Sequence, residues 1–77
     1  MELNDFVVKF AELFEETDTT NFNGATDFRA NDEWSSLIGL SVIAMVDEEY
    51  DVALKGDDVK NAKTIEDLFN IVKSKAE

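Results

Sequence analysis

The stretch DEWSSLIGLSVIAMVDEEYD, residues 32–51, decides the fold predicted for this chain. It begins with polar residues that suit a helix start, continues through a mainly apolar segment, and ends in a cluster of acids. Either Ser35 or Ser36 is placed to cap the helix with its hydroxyl. At helical spacing one face is expected in the core, and it carries Gly39, Val42, Ile43, Val46 and Tyr50.

The opposite, outward face of this helix mixes apolar and acidic side chains. Leu37, Ser41, Ala44 and Glu48 share one outward line, and we expect Met45 beside it. Charge attracts a partner and apolar area holds it, so this combination is typical of a contact face. The partner-binding residues predicted from it are Leu37, Ser41, Ala44, Met45, Asp47 and Glu48. The alternative for Leu37 is that it covers a neighbouring loop.

Around this helix the chain supplies further helical segments. Apolar spacing predicts an amphipathic helix over residues 3–16, capped by Asn4 or Asp5. A short helix is expected over residues 57–62 and a last one from Thr64, where TIED approximates a capping box. The prediction is a single all-α domain over residues 1–77. It is a small four-helix bundle with three main helices, one short helix and a long loop between the first and second helices.

The long loop, residues 17–33, is rich in Asp, Asn, Thr and Gly, which favour turns. We expect Phe22, Phe28 and Trp34 to pin it to the core. A calcium loop of the EF-hand type does not fit, because Thr19 would occupy the first ligand position and Ala30 the twelfth. No metal site is predicted.

Charge limits the classes of partner. Eighteen acidic residues against seven basic ones give a formal net charge of −11, which repels nucleic acids and anionic membranes and attracts basic proteins. The chain has no Cys and no His, so it lacks a thiolate nucleophile and the commonest general base. With an acidic start and no apolar run near 18 residues, we expect a cytoplasmic monomer without membrane insertion.

The order of these parts resembles the acyl carrier protein family. Its members open their second helix with Ser-Leu, here Ser36-Leu37, and end it in an acidic run, here DEEYD at residues 47–51. The resemblance implies that Ser36 carries a covalent 4'-phosphopantetheine arm, transferred from coenzyme A. It also implies a carrier of thioester-bound acyl or related intermediates that is not itself an enzyme.

The resemblance further implies two kinds of partner: a phosphopantetheinyl transferase, and acyl-transferring or acyl-modifying enzymes with basic docking patches. The chain departs from the family pattern at Ser35, Ile38 and Ser41, where the family usually has acids. These departures favour a specialised lipid, polyketide or secondary-metabolite pathway over housekeeping fatty-acid synthesis. The alternative function is an acidic helical protein-interaction module, a carrier homologue without the prosthetic group.

Overall fold

The computed structural model describes residues 2–76. In that range the regular secondary structure is all helical, with no strand. Four α-helices follow one another: α1 at Leu3–Ala11, α2 at Ser36–Tyr50, α3 at Gly56–Asn61 and α4 at Ile65–Ala76. A 3-10 turn at Phe28–Ala30 lies in the long connection between α1 and α2. The predicted all-α bundle with three main helices and one short one is confirmed.

The helices meet around one apolar core. α1 packs against α2 and α4, and α3 packs against the same two helices. The largest fully buried side chains are Phe6, Phe10, Phe28, Val42, Val46, Ile65, Leu68 and Val72. Burying each of these side chains contributes on the order of 1.5–3 kcal/mol, so the aromatic residues of α1 and the loop are main contributors to stability.

α1 is shorter than the sequence predicts, because it ends at Ala11 rather than at residue 16. The chain continues in tighter turns, in which the Phe14 N–H donates to the Ala11 carbonyl at 3.0 Å. These turns keep Phe14 pointing inward, and it is 3% exposed. The predicted cap is also wrong: α1 begins after Glu2, without a side-chain cap, and Asp5 lies in its first turn.

The long loop is held to the core by its aromatic side chains, as predicted. Phe28 is fully buried, and its ring centroid lies 5.1 Å from that of Phe10 and 4.8 Å from that of Trp34. Phe22 and Trp34 are partly buried against the core. Ring packing therefore helps to hold this loop against the core, beside the hydrogen bonds within the loop.

The same loop also caps α4. The first N–H groups of a helix have no carbonyl within the helix to accept them. Here Ile65 N–H donates to the Thr26 carbonyl at 3.1 Å, and Glu66 N–H donates to the Gly24 carbonyl at 2.8 Å. Loop and helix start are thus joined through the backbone.

The capping box predicted at Thr64 is confirmed. Asp67 N–H donates to Thr64 Oγ1 at 3.1 Å, and Thr64 N–H donates to Asp67 Oδ2 at 3.2 Å. α4 buries the stripe expected of it, which is Ile65, Leu68, Phe69 and Val72.

Within residues 2–76, no helix combines the length and the apolar character needed to cross a membrane. The same residues contain no group of three or more acidic side chains placed to hold a metal ion together.

Candidate functional site

Two adjacent serines at the head of α2 have different roles. Ser35 is the N-cap, in extended conformation, and its Oγ accepts a hydrogen bond from Ile38 N–H at 3.4 Å. Ser36 is the first helical residue and is exposed, and its hydroxyl has no hydrogen-bond partner among the residues described. Ser35 therefore caps the helix, and the exposed Ser36 hydroxyl takes no part in the cap.

The surroundings of Ser36 suit an anion. The first backbone N–H groups of α2 lack partners within the helix and carry the positive end of its dipole. The first turn of α2 contains no acidic side chain that would compete for those groups. A phosphate ester on the Ser36 oxygen would thus meet favourable backbone charge.

An apolar groove begins beside Ser36 and runs between α2 and α3. We call it the α2–α3 groove; its volume is about 350 Å³. α2 contributes the exposed Ser36 and Leu40 and the partly buried Gly39 and Ile43, and α3 contributes the buried Val59. The exposed hydroxyl and a sheltered apolar surface therefore adjoin one another.

Two cations border the α2–α3 groove. Arg29, from the loop, and Lys60, from α3, both line it, and Arg29 Nη1 donates to the Lys60 carbonyl at 2.6 Å. That bond holds the loop against the C-terminal end of α3 and fixes a guanidinium near the opening. Although the chain has a net charge of −11, the two cations make this part of the surface favourable to an anionic group.

Gly39 faces the Trp34 ring at this groove, with space for a larger side chain. A β-carbon at Gly39 would lie 3.7 and 3.8 Å from two ring carbons of Trp34. Trp34 and Gly39 both line the α2–α3 groove.

The outward face of α2 is as exposed as predicted along most of its length. Leu37 is 75% exposed, so it does not cover a neighbouring loop. Ser41, Ala44, Asp47 and Glu48 are exposed as well. Exposure makes these side chains accessible to a partner; their binding role remains a prediction.

The exposure of two residues of α2, Met45 and Leu40, was not predicted from the sequence. Met45 was expected beside the exposed line, but it is 9% exposed because α1 packs over that side of α2. Leu40 was not predicted as a surface residue, yet it is 62% exposed. Its helical position, between Leu37 and Asp47 around the axis, was the signal that could have identified it.

At the acidic end of α2, some residues contact α1 and others are exposed without an ion pair among the described residues. Tyr50 packs on Phe6 at 5.8 Å between ring centroids, with Lys9 Nζ 5.6 Å from the Tyr50 centroid. Burial raises the pKa of the Tyr50 hydroxyl, and the Lys9 charge opposes this only in part. Glu49 pairs with Lys9 at 3.8 Å, whereas Asp47 and Glu48 have no such ion pair among the described residues.

Comparisons of the chain with protein-family models, with curated proteins and with solved structures found no match. The function is therefore inferred from the residues around Ser36 and along α2.

Proposed function

We propose that this chain is an acyl carrier protein. In this proposal Ser36 bears a 4'-phosphopantetheine arm, and thioester-bound acyl or related intermediates travel on that arm between partner enzymes. The observation that carries the proposal is the free, exposed Ser36 hydroxyl at the head of α2, next to the α2–α3 groove.

The residues at this end of the molecule fit the prosthetic group. Ser36 offers the oxygen for the phosphodiester, and the first N–H groups of α2 offer donors to its anionic oxygens. Arg29 and Lys60 add positive charge nearby. When bound, the arm supplies the thiol that this Cys-free chain lacks.

A carrier needs no activated serine of its own. The chain contains no His, so Ser36 has no imidazole base of the kind that serine hydrolases use. In the proposed loading reaction, a phosphopantetheinyl transferase removes the Ser36 proton. The Ser36 oxygen then bonds to the pantetheine phosphate of coenzyme A, and adenosine 3',5'-bisphosphate leaves.

The α2–α3 groove gives apolar cargo a place beside the attachment point. Apolar surface removed from water stabilises a chain by about 25 cal/mol per Å². The proposed partners after loading are acyl-transferring or acyl-modifying enzymes with basic patches that approach the exposed acids Asp47 and Glu48. We place this monomeric carrier in the cytoplasm, in fatty-acid synthesis or in a specialised lipid, polyketide or secondary-metabolite pathway.

Incubation with coenzyme A and a broad-specificity phosphopantetheinyl transferase tests the proposal by intact mass. Wild type should gain the mass of one phosphopantetheine, and Ser36→Ala should gain none. Ser35→Ala is the matched control: it removes the cap hydroxyl, costing about 1 kcal/mol of stability, but leaves the attachment oxygen. It should still be modified.

Two outcomes contradict the proposal. Modification of Ser36→Ala but not of Ser35→Ala would assign the arm to the other serine. Failure of folded wild type to react with several transferases would remove the carrier function. The exposed Leu37 and Leu40 beside acids would then favour the acidic interaction module.

A further inference from the structure

A second groove lies on the other side of α2, between α2 and α1. Its volume is about 650 Å³, and we call it the α1–α2 groove. Its floor is apolar, and both helices contribute to it: Val8, Leu13, Ala44 and Met45. Val8 is 57% exposed, which is high for a large apolar side chain on a helix that is otherwise well packed.

Acidic side chains line the α1–α2 groove on both sides. α1 and the turn after it contribute Asp5 and Glu12, and α2 contributes Glu48 and Glu49. The one cation in the lining, Lys9, is 3.8 Å from Glu49 and lies over the Tyr50 ring, so it is already engaged. The rim therefore carries net negative charge around an apolar floor in which Val8 and Ala44 are exposed.

The ridge of α2 separates this groove from the proposed arm site. Ser36, Leu40 and Ile43 line the α2–α3 groove, whereas Ser41 and Glu48 line the α1–α2 groove. The two grooves have no lining residue in common. Anything bound in the α1–α2 groove would leave the Ser36 hydroxyl uncovered.

We propose that the α1–α2 groove is a docking site for a basic amphipathic helix of a partner protein. Charge complementarity selects the occupant: Lys or Arg side chains would face the acids on the two sides. Apolar side chains on one face of that helix would contact Val8 and Ala44 in the floor. α1 has nine residues and is about 14 Å long, which matches about nine residues of a docked helix.

This site is independent of the proposed arm, so its test uses the unmodified protein. The probe is a fluorescein-labelled synthetic peptide of about 14 residues, with Leu on one helical stripe and Lys elsewhere. A scrambled peptide of identical composition, with the Leu stripe broken, is its control. Fluorescence anisotropy in about 0.15 M salt, where charges are screened beyond about 8 Å, gives the dissociation constants.

Two exposed acids provide the matched variants. Glu48→Lys reverses a charge in the α1–α2 groove. Asp32→Lys makes the same change on the loop before α2, outside the groove lining. We expect Glu48→Lys, and separately Val8→Ser, to raise the dissociation constant about tenfold, a typical loss for a central contact. Asp32→Lys should change it less than about twofold, within the usual effect of a surface substitution.

Each opposite result overturns the docking site. Equal weakening by Asp32→Lys and Glu48→Lys would mean diffuse attraction to an acidic surface. Equal binding of the scrambled peptide would mean that the apolar floor is not used. A second copy of the chain as occupant would show as a dimer in sedimentation of wild type that Val8→Ser dissociates. Helical circular dichroism of each variant confirms that the fold is retained.

Discussion

Asp67 shows how one exposed carboxylate supports a helix start. Its oxygen accepts hydrogen bonds from the N–H groups of Thr64 and Lys63, and these bonds lower the pKa of Asp67 below its ordinary value of 3.8. The charged form is thus favoured in the folded chain. The hydrogen bond from Lys55 N–H likewise lowers the pKa of Asp58 at the start of α3.

These lowered pKa values predict that the contribution of the caps to stability is lost in acid. A carboxylate whose pKa is lower when folded stabilises the protein above its unfolded pKa, about 3.9, and loses that effect as the pH falls through the folded value. Protonation of the other acids relieves self-repulsion over the same range, so the effect of the cap is measured as a difference between variant and wild type. Asp67→Asn should lower the free energy of unfolding, measured with urea, more at pH 7 than at about pH 3, and so narrow the difference between the two pH values.

Asp57→Asn is the control for that measurement. Asp57 lies in the first turn of α3, but its carboxylate accepts no hydrogen bond from the described residues. Its substitution should leave the difference between the two pH values as in wild type. If Asp57→Asn and Asp67→Asn narrowed it equally, total charge rather than the cap would be the cause.

Individual residues also show how much of the site could be predicted from the sequence. The sequence left Ser35 and Ser36 as the two candidates for the cap of α2. The choice between them depended on backbone angles that local sequence does not determine. The sequence placed Met45 outside because helical spacing gives direction around one axis but does not say which side a neighbouring helix covers. Arg29 at the groove escaped prediction, since its place depends on a contact with Lys60, 31 residues away.

Among the helices, α1 shows why periodicity overestimates length. Apolar residues three and four apart fit an α-helix and also fit the tighter turns that follow Ala11. Leu13 and Phe14 therefore keep the inward pattern after the helix has ended. By contrast, the capping box of α4 was predicted correctly at Thr64, one residue before the helix begins at Ile65, because a capping box is a local feature of four consecutive residues.

Two glycines in these elements should respond oppositely to alanine. At Gly39 a β-carbon would make ordinary contacts with Trp34, and alanine favours a helix interior by about 1 kcal/mol. At Gly24 it would lie 3.0 Å from Leu3 Cδ2 and 3.3 Å from Glu66 Cβ. We expect Gly39→Ala to raise the free energy of unfolding and Gly24→Ala to lower it by about 1–3 kcal/mol through overpacking.

Urea unfolding of both variants measures this, each serving as the control for the other. The loss of stability expected for Gly24→Ala has a second cause. The Gly24 carbonyl accepts a hydrogen bond from the Glu66 N–H, and any backbone shift weakens that bond. Equal gains in both variants would mean that the loop has room at Gly24 and that glycine entropy in the unfolded chain decides the result.

For the molecule as a whole, unbalanced charge opposes folding. The net charge is −11, and the described residues contain two ion pairs, Lys9 with Glu49 and Lys75 with Asp58. Both pairs are partly exposed, and such pairs contribute about 0–1 kcal/mol. Repulsion among the remaining carboxylates is therefore largely uncompensated.

We expect added salt to raise the melting temperature. Raising the ionic strength to about 0.2 M shortens the Debye length to about 8 Å or less and weakens repulsion across the surface. Thermal unfolding followed by circular dichroism at low salt and at that concentration measures the shift. An unchanged midpoint would show that self-repulsion does not limit the stability of this fold.

The chain contains one tryptophan, and the fold places it in the wall of the α2–α3 groove against Gly39. Indole emission shifts in wavelength and intensity when nearby water is displaced. The protein thus has a built-in optical reporter at the place where cargo is proposed to lie. Filling and emptying of that groove can be followed in real time without attaching any dye.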